Sequence, residues 1–159
     1  MVIILIVLAV ISFFFSAAEA SHISLNKIRA RHLADKGVKG ANSVLRLVTK
    51  LDRMVAAILI GNNFVNVAIS SLVTVMLVSK FGPNWGAALA TFLVTMFILV
   101  FCEIIPKTIA IRYSEKTALY TAPFLEVFIR AFDSLINFFT GTSNLILRLF
   151  GEKPQARSP

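Results

Sequence analysis

The sequence predicts an all-α membrane protein: three transmembrane helices, a cytoplasmic helical hairpin between the first two, and a C-terminal juxtamembrane amphipathic helix. Three observations predict it. Of 159 residues, 57% are hydrophobic and only 15% are charged, against about 45–50% and 25% in a soluble domain. Three stretches long enough to cross a bilayer are nearly free of charge. The 16 Lys and Arg, set against 8 Asp and Glu, fall mainly between and after those stretches. In a soluble chain a net charge of +8 would suggest nucleic acid. Here topology accounts for the excess, because cytoplasmic loops collect Lys and Arg, and no nucleic-acid partner is expected. A single cysteine, Cys102, excludes an internal disulfide and reads as an inert residue in an apolar run.

The first span is placed at about 2–20, with an uncharged run over 2–18. A signal peptide is the rival, but no Lys or Arg precedes the run, as a signal peptide requires. The 21–53 connection carries eight basic residues and helical spacing in Leu25, Ile28 and Leu33, then in Leu45, Val48 and Leu51. Gly37 and Gly40 mark a turn between two short helices. His22 and His32 fall in this connection and are expected at the surface. The second span is placed at 54–79, uncharged over 26 positions, with Gly61-Asn62-Asn63 as a possible break in its middle. Phe81-Gly82-Pro83-Asn84 is a turn, and Trp85 an interfacial anchor. The third span is placed at 85–111. Seven basic residues follow from Lys107 onward, whereas the 80–84 loop holds only Lys80. The positive-inside bias then sets the N-terminus outside and the C-terminus in the cytoplasm.

Residues 117–150 read as one helix at the membrane surface. Glu126, Arg130, Asp133 and Asn137 share a narrow polar stripe on an otherwise apolar helix. Glu126–Arg130 and Arg130–Asp133 can pair along it. A fourth span is the alternative, made costly by that stripe. The transmembrane domain is therefore 1–150, and Gly151–Pro159 reads as a polar linker to cytoplasmic domains.

Ionisable and polar residues inside spans are functional candidates. Glu103 follows eighteen apolar residues and precedes Pro106. An ion pair with Lys107, four residues on, is the structural alternative. Pro106 cannot donate to the carbonyl of Cys102, and a freed carbonyl at membrane depth needs a partner or a cavity. Asn62, Asn63 and Asn66 are a heavy desolvation load. Asn63 and Asn66 share a face at i, i+3, extended by Ser70, and Asn62 points elsewhere. Taken alone, these asparagines are explained by interhelical hydrogen bonding. Ser12, Ser16 and Glu19 share a face of span one, and backbone hydrogen bonding explains the serines alone. Depth links the three groups. Asn63 is nine residues into its span, about 14 Å at helical rise. Ser16, Asn63 and Glu103 all fall in the cytoplasmic half. A hydroxyl, an amide and a carboxylate oxygen suit a hard cation such as magnesium, calcium or sodium, and no Cys–His cluster favours zinc or copper. No catalytic constellation is found, so an enzyme is not expected.

The segments FFFSAAEAS at 13–21, GNNFVN at 61–66 and EIIPKT at 103–108 resemble the transmembrane domain of the CNNM/CorC family, in order and spacing over nearly the whole chain. The resemblance implies a homodimer of three-span subunits in a bacterial-type plasma membrane. It implies magnesium transport in the export direction, with sodium as the suggested coupling ion. Its magnesium ligands fall on Ser16, Asn63 and Glu103, with Pro106 at the family's kink. Ser12, Glu19, Gly61, Asn62, Asn66, Ser70, Pro106 and Lys107 form a second tier of cavity or gating residues. Family members continue into a nucleotide-binding domain pair, so a non-transporting anchor or magnesium sensor for such a domain is the alternative function.

Overall fold

A computed structural model describes residues 1–149; the linker expected at 151–159 lies outside them. Among the described residues every element is helical. Three helical stretches are long and apolar enough to cross a membrane: Val2–Ser24, Leu51–Phe81 and Pro83–Arg112.

The first, α1 (Val2–Ser24), is the hub. It packs on the second span, on the C-terminal half of the third and on the helix that follows it, Ser114–Ala131. Its apolar first half is largely exposed, while Ser12, Phe15, Ser16, Ala17, Ala18, Ala20, Ser21 and His22 are buried. Small residues dominate that second half, so neighbours approach closely, as small side chains permit in membrane bundles. The helix outlasts the expected end near residue 20. Ser21 Oγ donates to Ala18 O at 3.0 Å and Ser24 Oγ to Ala20 O at 2.6 Å.

Asn26 then caps α2 (Lys27–Asp35), its side chain accepting from the Ile28 amide. A turn through Gly37 and Gly40, both at positive φ, leads into α3 (Ala41–Thr49). This is the expected helical hairpin. At Gly40 a Cβ would come within 2.8 Å of the Leu119 carbonyl oxygen, so the turn lies directly under a later helix.

The second span, α4 (Leu51–Phe81), runs unbroken through Gly61-Asn62-Asn63, correcting the expected interruption. Gly61 serves packing instead. A Cβ there would lie 2.6 Å from Phe15 Cζ and 3.0 Å from Phe128 Cζ, so glycine makes room for two rings. Those rings meet edge to face at 4.9 Å between centroids, a favoured arrangement. Gly82 at φ +80° turns the chain, and Pro83 opens α5 (Pro83–Phe97) at the first-turn position that tolerates it.

The third span changes character at its middle. A π-helical segment, Ile98–Ile104, separates α5 from α6 (Ile105–Arg112). The Ile105 amide reaches five residues back to Val100 O. Pro106 has no N–H, so neither the Cys102 carbonyl (α register) nor the Phe101 carbonyl (π register) receives a donor from it. The kink expected at Pro106 thus takes the form of a widened turn ahead of the proline.

The last helix differs from expectation. It starts earlier and is two helices, α7 (Ser114–Ala131) and α8 (Asp133–Leu149), broken at Phe132. Its polar stripe also pairs elsewhere. α7 packs on α3, which puts Glu126 against Arg46 and Ser43 at 2.7 and 2.9 Å rather than pairing it with Arg130. Asp133 pairs with Arg53 of α4, and Asn137 Nδ2 donates back to Asp133 Oδ2 at 2.9 Å.

Candidate cation site between the spans

The polar residues of α1 and α4 meet on one shared face. Ser12 is fully buried. Its hydroxyl donates across to Asn62 Oδ1 at 2.9 Å and to Asn66 Oδ1 at 2.7 Å. It has one proton for two carbonyl oxygens, so at any instant one of them goes without. One turn on, Ser16 is also fully buried, and its Oγ has no hydrogen-bond partner among the described residues. A buried hydroxyl left unpaired costs desolvation energy, and such an atom in a native fold calls for an explanation. Cys102 of the π segment adjoins Ser12.

Glu103 follows, half-buried on the π segment. Its sequence-local partner is taken: Lys107 Nζ sits 2.9 Å from Glu19 Oε2, tying α6 to α1. Glu103 makes no hydrogen bond or ion pair among the described residues. A half-buried carboxylate therefore stays uncompensated on the third span, on the segment that packs against α1. π turns frequently occur at functional sites.

The expected ligands separate. Ser16 and Glu103 lie on elements in mutual contact. Asn63 is exposed, whereas Asn62 is buried and Asn66 half-buried. The amides that α4 turns toward α1 are the i, i+4 pair Asn62 and Asn66, not the i, i+3 pair Asn63 and Asn66. Ser70 is half-buried on the same helix, and its carbonyl accepts from Thr74 Oγ1 at 2.7 Å. Pro106 is fully buried. His22, expected at the surface, is fully buried too, with Nδ1 2.8 Å from Ala18 O and Nε2 unpartnered; His32 is exposed as expected. The small residues that precede His22, namely Ala17, Ala18, Ala20 and Ser21, are the sequence signal that α1 packs closely there. Among the described residues no three His, Cys, Asp or Glu side chains converge. The donor set between the spans is hydroxyl and amide oxygen with one carboxylate nearby.

Below the spans, charge is handled differently. Arg29 Nε and Nη2 meet Glu115 Oε1 and Oε2 at 2.6 and 3.2 Å, joining α2 to α7. Hydrogen bonding to Arg29 holds the Glu115 carboxyl below its usual value. Hydrogen bonding to Arg46 does the same for Glu126.

Comparison with known proteins fits this architecture. The family model for the cyclin M (CNNM) transmembrane N-terminal domain matches residues 3–159. The chain belongs to the CNNM family. Among its relatives, a UPF0053 inner membrane protein, YfjD of Escherichia coli K12, is 44% identical over 115 residues, 72% of this chain and 26% of that protein. A UPF0053 protein of Haemophilus influenzae is 40% identical over 141 residues, 87% of this chain and 33% of that protein. A polyamine export protein of the same organism is 31% identical over 147 residues, 85% of this chain and 34% of that protein. This CNNM domain thus spans about a third or less of the length of these relatives. It is an integral membrane domain.

Proposed function

We propose that this domain carries magnesium across the membrane, taking the ion between the three spans from a cytoplasm-facing cavity. One observation carries the reading: among the described residues an unpartnered Ser16 hydroxyl and two amide oxygens, of Asn62 and Asn66, sharing the single Ser12 proton lie on two of the spans, and an uncompensated Glu103 lies on the third. Oxygen-only donors suit a hard cation. A single carboxylate leaves a divalent ion half neutralised, which keeps binding weak enough for release. Ser16 and Glu103 keep the ligand roles that the family resemblance implies, and Asn62 and Asn66 supply the amide oxygens in preference to Asn63. Export, sodium coupling and a homodimer belong to the same proposal. The basic 21–53 and post-span segments place the N-terminus outside in this reading.

Magnesium titration of the purified, reconstituted chain tests it. Wild type binds, and Glu103→Ala does not; undiminished binding by the variant refutes the site. Flux into liposomes then separates a transporter from a magnesium-sensing anchor, which binds without moving the ion. The relative named a polyamine export protein favours a second cargo, an organic polycation. Spermidine flux into the same liposomes, lost in Glu103→Ala, would favour that reading.

A further inference from the structure

The helical hairpin beside the spans carries a charge surplus left unpaired among the described residues. Residues 25–50 hold seven basic side chains and one acidic one, Asp35. Two of the seven, Arg29 and Arg46, are taken by Glu115 and Glu126 of α7. The other five, Lys27, Arg31, Lys36, Lys39 and Lys50, are all exposed, and none makes an ion pair among the described residues. The surplus is fixed in place. Leu25 is buried, and only Leu25 and Asn26 separate the end of α1 from Lys27, a reach of about 10 Å at most. At the other end, Lys50 directly precedes α4. Both ends of the hairpin are therefore pinned to the membrane boundary.

The outward face of α2 is not simply polar. Ala30 and Leu33 are buried on its inner side, and the Arg29–Glu115 pair fixes its rotation. Ile28 is left 77% exposed between the exposed Lys27 and Arg31. An apolar side chain flanked by cations matches the phospholipid boundary, where phosphates sit over acyl carbon. We propose that this surface binds anionic phospholipid headgroups of the adjoining leaflet, with Ile28 seated in the acyl boundary and Lys27 and Arg31 on phosphate. This surface is separate from the ion site, and its test does not depend on magnesium binding.

The full chain, purified in mild detergent with equal phosphatidylglycerol and phosphatidylcholine, is released for native mass spectrometry. Wild type should retain phosphatidylglycerol about tenfold over phosphatidylcholine, and Lys27→Gln with Arg31→Gln should weaken phosphatidylglycerol binding by roughly 20-fold. Lys80→Gln, in the last turn of α4 at the far end of the second span, should change nothing. If the double variant elutes aggregated, Lys36→Gln with Lys39→Gln carries the same expectation with a smaller loss. Equal retention of the two lipids by wild type overturns the proposal. So does a preference that survives both double variants. Displacement of the lipid by millimolar glycerol phosphate would also overturn it, assigning the surface to a soluble anion.

Discussion

The interior and the membrane-boundary collar of this bundle treat charge in opposite ways. In the collar, Glu115, Glu126 and Asp133 each hold an arginine from another element. Glu19 toward the C-terminal end of α1 holds Lys107 in the same manner. Between the spans, among the described residues, Ser16 lacks a partner, one proton serves two amide oxygens, and Glu103 stands alone. Satisfied charges hold helices together. Unsatisfied polar groups at membrane depth cost stability, and in the proposed function a bound cation compensates them. The contrast predicts that collar substitutions damage stability while interior ones damage binding.

The sharpest break of that contrast is Glu103→Gln. It should weaken magnesium binding by roughly 100-fold, since it removes the only carboxylate of the proposed site. Its melting temperature should match or exceed that of wild type, because no ion pair is lost. A parallel loss of stability would make Glu103 structural. Gly61→Ala comes next and should act on packing. A methyl 2.6 Å from the buried Phe15 ring should cost roughly 2 kcal/mol by overpacking, measured by thermal unfolding. An unchanged melting temperature would leave Gly61 free for a gating role. Third, Asn62→Ala should weaken magnesium binding about tenfold, the weight of one lost polar contact, while Asn63→Ala should leave it near wild type. The reverse order would restore Asn63 as the ligand.

The asparagine comparison also marks where the sequence stops being legible. The three spans are readable because uncharged runs of that length have no other home. The helical period relates Asn62, Asn63 and Asn66 to one another but not to the bundle. Both Asn63–Asn66 and Asn62–Asn66 are permitted faces. What decides is Ser12, 50 residues away, and no local pattern encodes that contact. Lys107 follows the same logic: its neighbour in sequence is Glu103, yet Glu19 on a packed helix captures it. Depth and the family motifs both single out Ser16, Asn63 and Glu103, and neither fixes which amide of α4 faces α1. Pro106 announced a distortion, but its form depends on a register shift to Val100 that only coordinates reveal. The break at Phe132 carries no proline or glycine signal. It falls between Glu126, held by α3, and Asp133, held by α4, so the helix is pulled toward two different neighbours.

The smallest expected effect lies in the collar. Glu126 accepts from Arg46 and Ser43, and its carboxyl titrates below the ordinary value chiefly because Arg46 hydrogen-bonds the charged form. A folded-state pKa below the unfolded one gives stability that is fully present above the unfolded value, about 4.3 for Glu. That stability is lost as pH falls through the folded value. Glu126→Gln should therefore cost roughly 1 kcal/mol at pH 7, discounted because Arg46 is largely solvent-exposed, and almost nothing near pH 3. The melting temperature of wild type should drop toward that of the variant between about pH 5 and pH 3. Magnesium affinity at pH 7 should stay the same in both. If Glu126→Gln instead lowered affinity as much as Asn62→Ala, the collar and the interior would be one coupled unit. α7 would then act on the ion site through α3 and α1, the two helices it packs against most extensively.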